Sequence, residues 1–267
     1  MESIQVRAAD GVPLFATHLT AALPAAAGGT DLAVVLAHGF TVSTRKASVR
    51  RIAARLARRG GVVTFDFRGH GRSGGRTTAG DAEVLDLDAA VRLARGLGYR
   101  RVATVGCSMG GAVVVRHAAR SAATGGLAPA QPVDAAVSVS APSRWYVRDT
   151  VAMRRVHWLL ETRSGRLVAG AALRTRVGSA WGVPPEPPVQ AAGRIPPTPL
   201  LVVHGDADPF FGIEHGRALA AAAGPSAEYW EVPGFGHAEG ALTPALVDRI
   251  GGWVTRAAAG RAGTMQR

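Results

Sequence analysis

The feature that most constrains the fold of this chain is the hexapeptide GCSMGG at residues 106–111. A short apolar run, RVATV, precedes it and has the β-branched residues typical of a buried strand, whereas the residues after it are mostly good helix formers. This order predicts that Ser108 lies on a tight turn from a strand into a helix. Such a turn strains its central residue and leaves no room for side chains two positions before and after it, where the chain has Gly106 and Gly110.

This turn indicates a nucleophilic serine. It raises the hydroxyl above the edge of the sheet and directs the first N–H groups of the helix to the same point, where they would bind an anion. The alternative, that Ser108 only caps the helix, stays open here. Cys107 is a weaker candidate, because the same turn around it would need glycine where the chain has Val105 and Met109. A small buried hydrophobic residue is the better interpretation of Cys107.

Length and composition indicate one globular domain with an insertion. With 267 residues, 47% of them apolar, the chain is able to bury a full core, and no linker rich in serine and proline divides it. The first thirty residues lack the features of a signal peptide, and no apolar run approaches the roughly 18 residues that span a bilayer. The single cysteine excludes an internal disulfide and fits a reducing compartment. We therefore expect a cytoplasmic protein.

The formal net charge of +12 is of the kind that attracts nucleic acids or anionic membranes. Much of it, however, follows helix faces. In the predicted helix at 45–59, Val49, Ile52, Ala53 and Leu56 form an apolar stripe and most of the arginines fall outside it. A solvated helix face explains this pattern, and no nucleic-acid-binding motif accompanies it, so no nucleic-acid partner is expected.

The order of predicted elements indicates the fold class. Residues 4–8 and 15–19 alternate between apolar and polar side chains around the turn pair Asp10 and Gly11, which predicts a β-hairpin. Apolar strands then alternate with amphipathic helices: strands at 32–36, 62–67, 102–105, 135–139, 200–203 and 228–232, and helices at 45–59, 82–97, 112–120, 213–223 and from Thr243 onwards. Strands that are apolar throughout imply a sheet covered on both faces, and intervening helices imply parallel pairing. We therefore predict an α/β fold with a doubly wound, mostly parallel sheet.

One segment interrupts this alternation. Residues 142–196 contain helical patterns and a cluster of prolines but no clear strand. A segment of this length is unlike a bare loop in a compact domain, so we predict a small helical cap over the carboxyl edge of the sheet, where ligands bind in such folds. The expected division is a core of residues 1–141 and 197–267 and a cap of residues 142–196.

Two late loops supply the groups that a nucleophilic serine needs. A serine hydroxyl is activated by an imidazole that takes its proton, and that imidazole is oriented by a carboxylate. HGDAD at 204–208 follows one predicted strand and provides Asp206 and Asp208, and GFGH at 234–237 follows the next strand and provides His237. The chain order is therefore serine, aspartate, histidine.

Five motifs together resemble the α/β-hydrolase superfamily, in particular its small capped serine esterases, monoacylglycerol lipases and thioesterase-like hydrolases. They are HGF at 38–40, DFRGHGRS at 66–73, GCSMGG at 106–111, HGDAD at 204–208 and GFGH at 234–237. The resemblance implies that Ser108 is the nucleophile, His237 the general base and Asp208 the orienting acid. The family spacing HGxxD selects Asp208, and Asp206 stays the alternative.

The resemblance also implies that the backbone N–H groups of Phe40 and Met109 bind the oxyanion. Family members commonly have histidine directly before the serine, where this chain has Cys107. That difference concerns packing beside the turn more than the chemistry.

The cap segment is rich in aromatic side chains and arginines. We predict an apolar substrate pocket above Ser108 lined by Trp145, Tyr146, Met153, Trp158, Leu159 and Trp181. The alternative is that these residues form only the cap's own core. Eight arginines lie in the same region, at positions 144, 148, 154, 155, 163, 166, 174 and 176, against the acids Asp149 and Glu161. This excess predicts attraction of an anionic substrate or carrier.

Other kinds of site are excluded. His38 and His204 each precede a glycine at the end of a predicted strand, so we expect them to hydrogen-bond locally and hold their loops, whereas His215 is expected on the surface of a predicted helix. A zinc site would need a second ligand cluster besides HGDAD, so no metal is expected. The glycines at 69, 71 and 74 spell GxGxxG with Asp88 further on, but Gly75 and Gly80 prolong the loop and Asp88 falls within a helix, which argues against a dinucleotide cofactor.

We therefore predict a serine hydrolase that cleaves a small-molecule carboxylic ester or thioester through an acyl-enzyme intermediate, without a metal or cofactor. An acyltransferase or a carbon–carbon bond hydrolase would use the same residues, and a non-catalytic ligand-binding protein would keep the same fold. These alternatives stay open at the level of sequence.

Overall fold

A single mixed sheet organises the chain. The computed structural model describes residues 2–22, 31–122, 130–179, 181 and 183–264, and in this part the sheet has eight strands in the order β1-β2-β4-β3-β5-β6-β7-β8. In chain order these are β1 (Glu2–Arg7), β2 (Pro13–Leu19), β3 (Leu32–Ala37), β4 (Gly61–Phe65), β5 (Arg101–Cys107), β6 (Ala135–Val139), β7 (Leu200–Gly205) and β8 (Ala227–Val232). Strand β2 pairs antiparallel with β1 and β4, and all other pairs are parallel. The predicted fold class is confirmed.

The predicted hairpin forms the edge of this sheet. Glu2 lies opposite His18 and Arg7 opposite Pro13, and Gly11 in the connection has a φ of +86°, which glycine adopts without strain. The N-terminal hairpin is therefore confirmed.

Helices cover both faces of the sheet. In the described part of the chain they are α1 (Ala47–Leu56), α2 (Glu83–Gly96), α3 (Met109–Ala122), α4 (Val151–Glu161), α5 (Arg163–Ala171), α6 (Pro188–Ala192), α7 (Ile213–Ala223), α8 (Ala238–Ala241) and α9 (Pro244–Thr264). Helices α2, α3, α6 and α7 pack on the face that contains Val35, whereas α1, α8 and α9 pack on the face that contains Val34 and Leu36. Because side chains alternate along a strand, each apolar strand supplies both cores.

The ends of the elements differ modestly from the predictions. Helix α1 is shorter than the predicted 45–59, and β4 ends at Phe65 rather than at residue 67. Beyond β4 the carboxylate of Asp66 accepts backbone N–H groups of Thr44 and Arg72, so the chain turns away from the sheet there.

Two helices that begin with a threonine N-cap lie in the segment between β6 and β7. The hydroxyl of Thr150 accepts the N–H of Met153 at the start of α4, and the hydroxyl of Thr162 accepts the N–H of Gly165 at the start of α5. These hydrogen bonds satisfy N–H groups that have no partner inside the helix.

The segment after α5 is tied to the long loop that follows β4. The N–H of Thr77 donates to the carbonyl of Arg176, and the N–H of Arg176 donates to the carbonyl of Gly69, both at 2.8 Å. Further on, Ala191 and Ala192 of α6 are buried with α3 and α7 in the core, although they fall within the predicted cap. The division into a core and a cap of residues 142–196 stays a prediction.

No helix in the described part of the chain combines the length and the apolar content needed to cross a lipid bilayer.

Candidate active site

The turn that carries Ser108 is strained and needs glycine on both sides. Ser108 follows β5 directly, and its φ is +53°, in the left-handed region that side chains disfavour. A Cβ at Gly106 would lie 2.2 Å from the carbonyl oxygen of Gly110, and a Cβ at Gly110 would lie 2.4 Å from the carbonyl oxygen of Ala37. Both distances are far below van der Waals contact, so a larger residue at either position would break the turn.

Three side chains from separate loops form one hydrogen-bonded chain at the carboxyl edge of the sheet. Oγ of Ser108 lies 3.0 Å from Nε2 of His237, and Nδ1 of His237 lies 2.7 Å from Oδ2 of Asp208. The side chain of Asp208 is fully buried, whereas 17% of the His237 side chain is exposed. When Nδ1–H donates to the carboxylate, Nε2 is free to accept the serine proton, so this arrangement is able to generate a nucleophile.

Asp208 and His237 are held by the residues that follow Asp208. Its second carboxylate oxygen, Oδ1, accepts the backbone N–H groups of Phe210 at 2.8 Å and Phe211 at 3.1 Å. The rings of both phenylalanines lie against the imidazole of His237, with centroids 4.3 and 5.7 Å away. The orientation of the imidazole is therefore set from two sides.

Asp206 has a different position. It is exposed, and its Oδ1 accepts the N–H of Gly234 at 2.7 Å, which links the loop after β7 to the loop that carries His237. The structure brings Asp208, and not Asp206, into contact with His237.

Phe40 and Met109, whose N–H groups were predicted to bind the oxyanion, lie beside Ser108 on the wall of one cavity. Within the described part of the chain, neither N–H donates a hydrogen bond to a protein acceptor. A Cβ on Gly39 would lie 3.2 Å from Cβ of Ser108, so the loop that carries Phe40 passes close to the hydroxyl. The two N–H groups are thus available for a substrate oxygen.

Two buried imidazoles hold the loop after β3. His38 donates from Nδ1 to the carbonyl of Gly39 at 2.8 Å and accepts the N–H of Phe67 at Nε2. His70 accepts the N–H of Thr41 at its Nε2. Burial, and then the neighbouring His70, lower the pKa of His38 to about 4, so its ring is neutral and keeps one donor and one acceptor. The prediction that His38 bonds locally is confirmed.

His204 lies beside the buried carboxylate without replacing His237. Its Nε2–H donates to the carbonyl of Phe211 at 3.0 Å and lies 3.8 Å from Oδ2 of Asp208. Burial lowers the pKa of His204, which keeps the ring neutral. As predicted, it supports its own loop.

Glu239 is a buried acid at the site that no sequence motif predicts. Its side chain lines the same cavity as Ser108, its residue is only 5% exposed, and Oε1 accepts the N–H of Gly39 at 2.6 Å. Burial raises the pKa of this carboxyl, while its contacts with backbone N–H groups act in the opposite direction. The contact joins residues that are 200 positions apart, and no local pattern in the sequence indicates it.

We expect Glu239→Ala to lower kcat about 10- to 100-fold with little change in KM, because the loop that presents the Phe40 N–H would lose its anchor. Glu239→Gln keeps an acceptor oxygen of the same reach, so its kcat is expected to stay within about threefold of the parent. Steady-state kinetics of both variants, with melting curves to check folding, test this. Equal kcat values for the two variants would contradict the positioning role.

A cavity of about 560 Å³ lies above Ser108. Of the residues predicted to line it, five do so: Trp145, Tyr146, Met153, Leu159 and Trp181. The three aromatic rings also pack edge to face, with centroids 5.3 to 5.7 Å apart. These three residues therefore line the pocket and also pack against one another. Both interpretations of the sequence, a pocket lining and packing within the cap segment, apply to them.

The prediction for Trp158 is wrong. Its residue is 43% exposed, and it is absent from the cavity wall among the described residues. Helix α4 turns Met153 and His157 inward at a spacing of four residues, and the next residue along the helix points about 100° away from that stripe.

The prediction that His215 lies on a helix surface is also wrong. It is 1% exposed and shares the buried stripe of α7 with Leu219 and Ala223. Its Nδ1 accepts the backbone N–H of Ser143 at 3.0 Å. Burial, followed by the charge of Arg144, lowers the pKa of His215 to about 4.

The described residues offer no geometry that supports a cysteine nucleophile, a metal centre or a dinucleotide site. Cys107 is buried, and burial raises the pKa of its thiol, which opposes a thiolate nucleophile. No group of three or more potential ligands in the described part of the chain is arranged to hold a metal ion. The GxGxxG glycines lie in a loop, and a helix begins only at Glu83.

Comparisons with known proteins show the family and the fold of this chain. The model of a family described as "Alpha/beta hydrolase family" matches residues 34–248. The solved structure of the Pyrococcus furiosus esterase Pf2001 is similar, with 23% identity, a TM-score of 0.71, and 96% of this chain and 92% of that chain covered. The esterase domain of a Rhodothermus marinus protein has 22% identity and a TM-score of 0.64, over 96% and 98% of the two chains. XC6422 of Xanthomonas campestris, described as a serine hydrolase without a lid, has 19% identity and a TM-score of 0.59, over 96% and 92%. At these identities the solved structures show the fold alone.

Proposed function

Because the chain belongs to the alpha/beta hydrolase family, we propose that it is a serine hydrolase that cleaves carboxylic esters or thioesters through an acyl-enzyme. The observation that supports this most strongly is the hydrogen-bonded chain from Ser108 through His237 to the buried Asp208. In this proposal Ser108 is the nucleophile, His237 the general base and then general acid, and Asp208 the group that orients the imidazole.

The first half of the reaction forms the acyl-enzyme. Oγ of Ser108 attacks the carbonyl carbon while its proton passes to Nε2 of His237, and the carbonyl oxygen becomes an oxyanion held by the N–H groups of Phe40 and Met109. The bond to the leaving oxygen or sulfur then breaks, and His237 returns its proton to that atom. Asp208 stabilises the imidazolium between these two transfers.

The second half regenerates the enzyme. Water gives one proton to Nε2 of His237 and attacks the acyl carbon, and the same N–H groups bind the new oxyanion. The bond to Oγ then breaks, His237 protonates Ser108, and the carboxylic acid leaves.

The cavity supports an apolar acyl group. Its volume of about 560 Å³ and its aromatic and aliphatic walls, which include Trp145, Met153, Val156 and Leu159, suit an acyl chain or an aromatic acid better than a small polar group. Arg144 and Arg155 also line it, which supports an ester or thioester that is anionic or held by an acidic carrier. We place this activity in the cytoplasm, in keeping with the single buried Cys107.

The test is a panel of chromogenic esters and thioesters from acetyl to long acyl chains. Turnover of these substrates is expected if the proposed activity is right. We expect kcat/KM to rise by up to about fourfold for each methylene added to the acyl chain, until the acyl chain is longer than the cavity. Leu159→Trp, which fills the cavity, should move the preference to shorter chains. Leu167→Trp, at a position 75% exposed on α5, is the matched control and should leave it unchanged. Absence of turnover across the panel would contradict the proposed function, and a preference for acetyl would contradict the assignment of the cavity.

A further inference from the structure

Exposed apolar side chains are concentrated in one part of the molecule. Eight large hydrophobic residues in the described part of the chain are 38% exposed or more, and all but Leu97 lie between residues 146 and 183. They are Tyr146, Val151, Trp158, Leu167, Val168, Leu173 and Val183. Because single exposed hydrophobic residues are normally scattered, this concentration indicates a surface that is covered in use.

The exposed residues of α4 and α5 form regular stripes. On α4, Val151, Arg154 and Trp158 are exposed at spacings of three and four, so they lie along one side of the helix. On α5, Leu167 lies four residues after the exposed Arg163, and Val168 lies four residues after the exposed Ser164, so these residues also share one side of the helix. The two helices meet closely, since a Cβ on Gly165 would lie 2.1 Å from the carbonyl oxygen of Trp158. We use the name outer cap face for the exposed apolar and arginine side chains of α4, of α5 and of the turn that follows α5: Val151, Arg154, Trp158, Arg163, Leu167, Val168, Leu173 and Arg174.

The outer cap face has an excess of positive charge. Within the described part of the chain, no carboxylate lies within ion-pair distance of Arg154, Arg163 or Arg174. The two acids nearby are already engaged, because Asp149 pairs with Arg144 and Glu161 pairs with Arg148. The surface is therefore both apolar and cationic.

We propose that the outer cap face binds an anionic lipid surface. Valine, leucine and tryptophan side chains enter the boundary between lipid headgroups and acyl chains, and arginines bind lipid phosphates. An anionic lipid surface would therefore bind both the apolar and the cationic side chains of the outer cap face. A second copy of the chain would bring arginines against arginines, which disfavours self-association through this face. An acidic protein would satisfy the arginines but offers less for Leu167, which is 75% exposed.

Docking through this face has a consequence for the cavity. The side of α4 opposite the exposed stripe includes Val156 and Leu160, which line the cavity above Ser108. One helix would thus contact lipid on one side and acyl substrate on the other. Lipid binding itself needs no turnover, so its failure and the failure of the proposed function are separate results.

The experiment is co-flotation of the full chain, carrying Ser108→Ala to prevent lipid hydrolysis, with two kinds of vesicle at physiological salt. We expect at least about tenfold stronger binding to vesicles of phosphatidylglycerol and phosphatidylcholine than to phosphatidylcholine alone. Arg154→Glu with Arg163→Glu should weaken binding at least about tenfold, and so should Trp158→Ser with Leu167→Ser.

The matched control is Arg50→Glu with Arg51→Glu, which makes the same charge change at exposed positions of α1. It should leave binding within about twofold, because α1 packs on the face of the sheet that contains Val34 and Leu36 and is not part of the outer cap face. Equal loss in the control, or no binding to anionic vesicles by folded protein, would overturn the proposal.

Two other results would also overturn it. The first is a dimer in sedimentation that Trp158→Ser with Leu167→Ser abolishes, because a second copy would then cover the face. The second is binding to an acidic acyl carrier protein through the same arginines without any binding to vesicles.

Discussion

Replacement of Ser108 by alanine is expected to lower kcat/KM at least about 10⁴-fold for every substrate that the enzyme turns over. The variant loses the atom that forms the acyl-enzyme but keeps the cavity and the N–H groups of Phe40 and Met109, so substrate binding should change little. Steady-state kinetics and a binding assay with an unreactive substrate analogue separate the two effects.

Ser179→Ala is the matched control for this prediction. Ser179 lies on the wall of the same cavity and contacts no member of the triad in the described part of the chain. Its loss should change kcat/KM by no more than about threefold, because surface hydroxyls contribute little when no partner is left unsatisfied. If Ser108→Ala retained comparable turnover, Ser108 would not be the nucleophile.

Asp208→Asn should lower kcat by about 10⁴-fold, the second large effect. Asparagine removes the charge that stabilises the imidazolium, and its NH₂ group is able to turn the neutral ring of His237 into the wrong tautomer. The protein should stay folded, because the amide oxygen is still able to accept the N–H groups of Phe210 and Phe211. Kinetics at saturating substrate give the kcat, and a melting curve checks folding.

Asp206→Asn distinguishes the two acids that the sequence left as alternatives. In the part of the chain that the structure describes, the Asp206 carboxylate accepts the N–H of Gly234 and does not contact His237, and asparagine is able to make the same hydrogen bond. Its kcat should remain within about threefold of the parent. A large loss in Asp206→Asn with a small loss in Asp208→Asn would reverse the assignment.

The sequence allowed the fold class and the chain order of the three catalytic candidates to be predicted, because each depends on local patterns. Apolar strands that alternate with amphipathic helices indicate a covered parallel sheet, and the glycines around Ser108 indicate its turn. Since parallel strands end at one edge, loops after β5, β7 and β8 must converge there.

The errors and omissions concern properties that depend on exact helix phase or on distant contacts. Trp158 and His215 were assigned to the wrong sides of their helices, and one residue step rotates a side chain by about 100°. Glu239 contacts Gly39 across 200 positions of sequence, so only the folded chain shows that it belongs to the site.

Mass spectrometry of the protein after incubation with a fluorophosphonate tests directly whether Ser108 is an activated nucleophile. An activated serine displaces fluoride and forms a covalent phosphonyl ester, so we expect one added phosphonyl group per chain, located on Ser108. Labelling should be lost in Ser108→Ala and strongly slowed in His237→Ala, because the hydroxyl that lies 3.0 Å from Nε2 would then have no base. If the folded protein took up no label, or took it up at a residue other than Ser108, Ser108 would not be the nucleophile of a serine hydrolase.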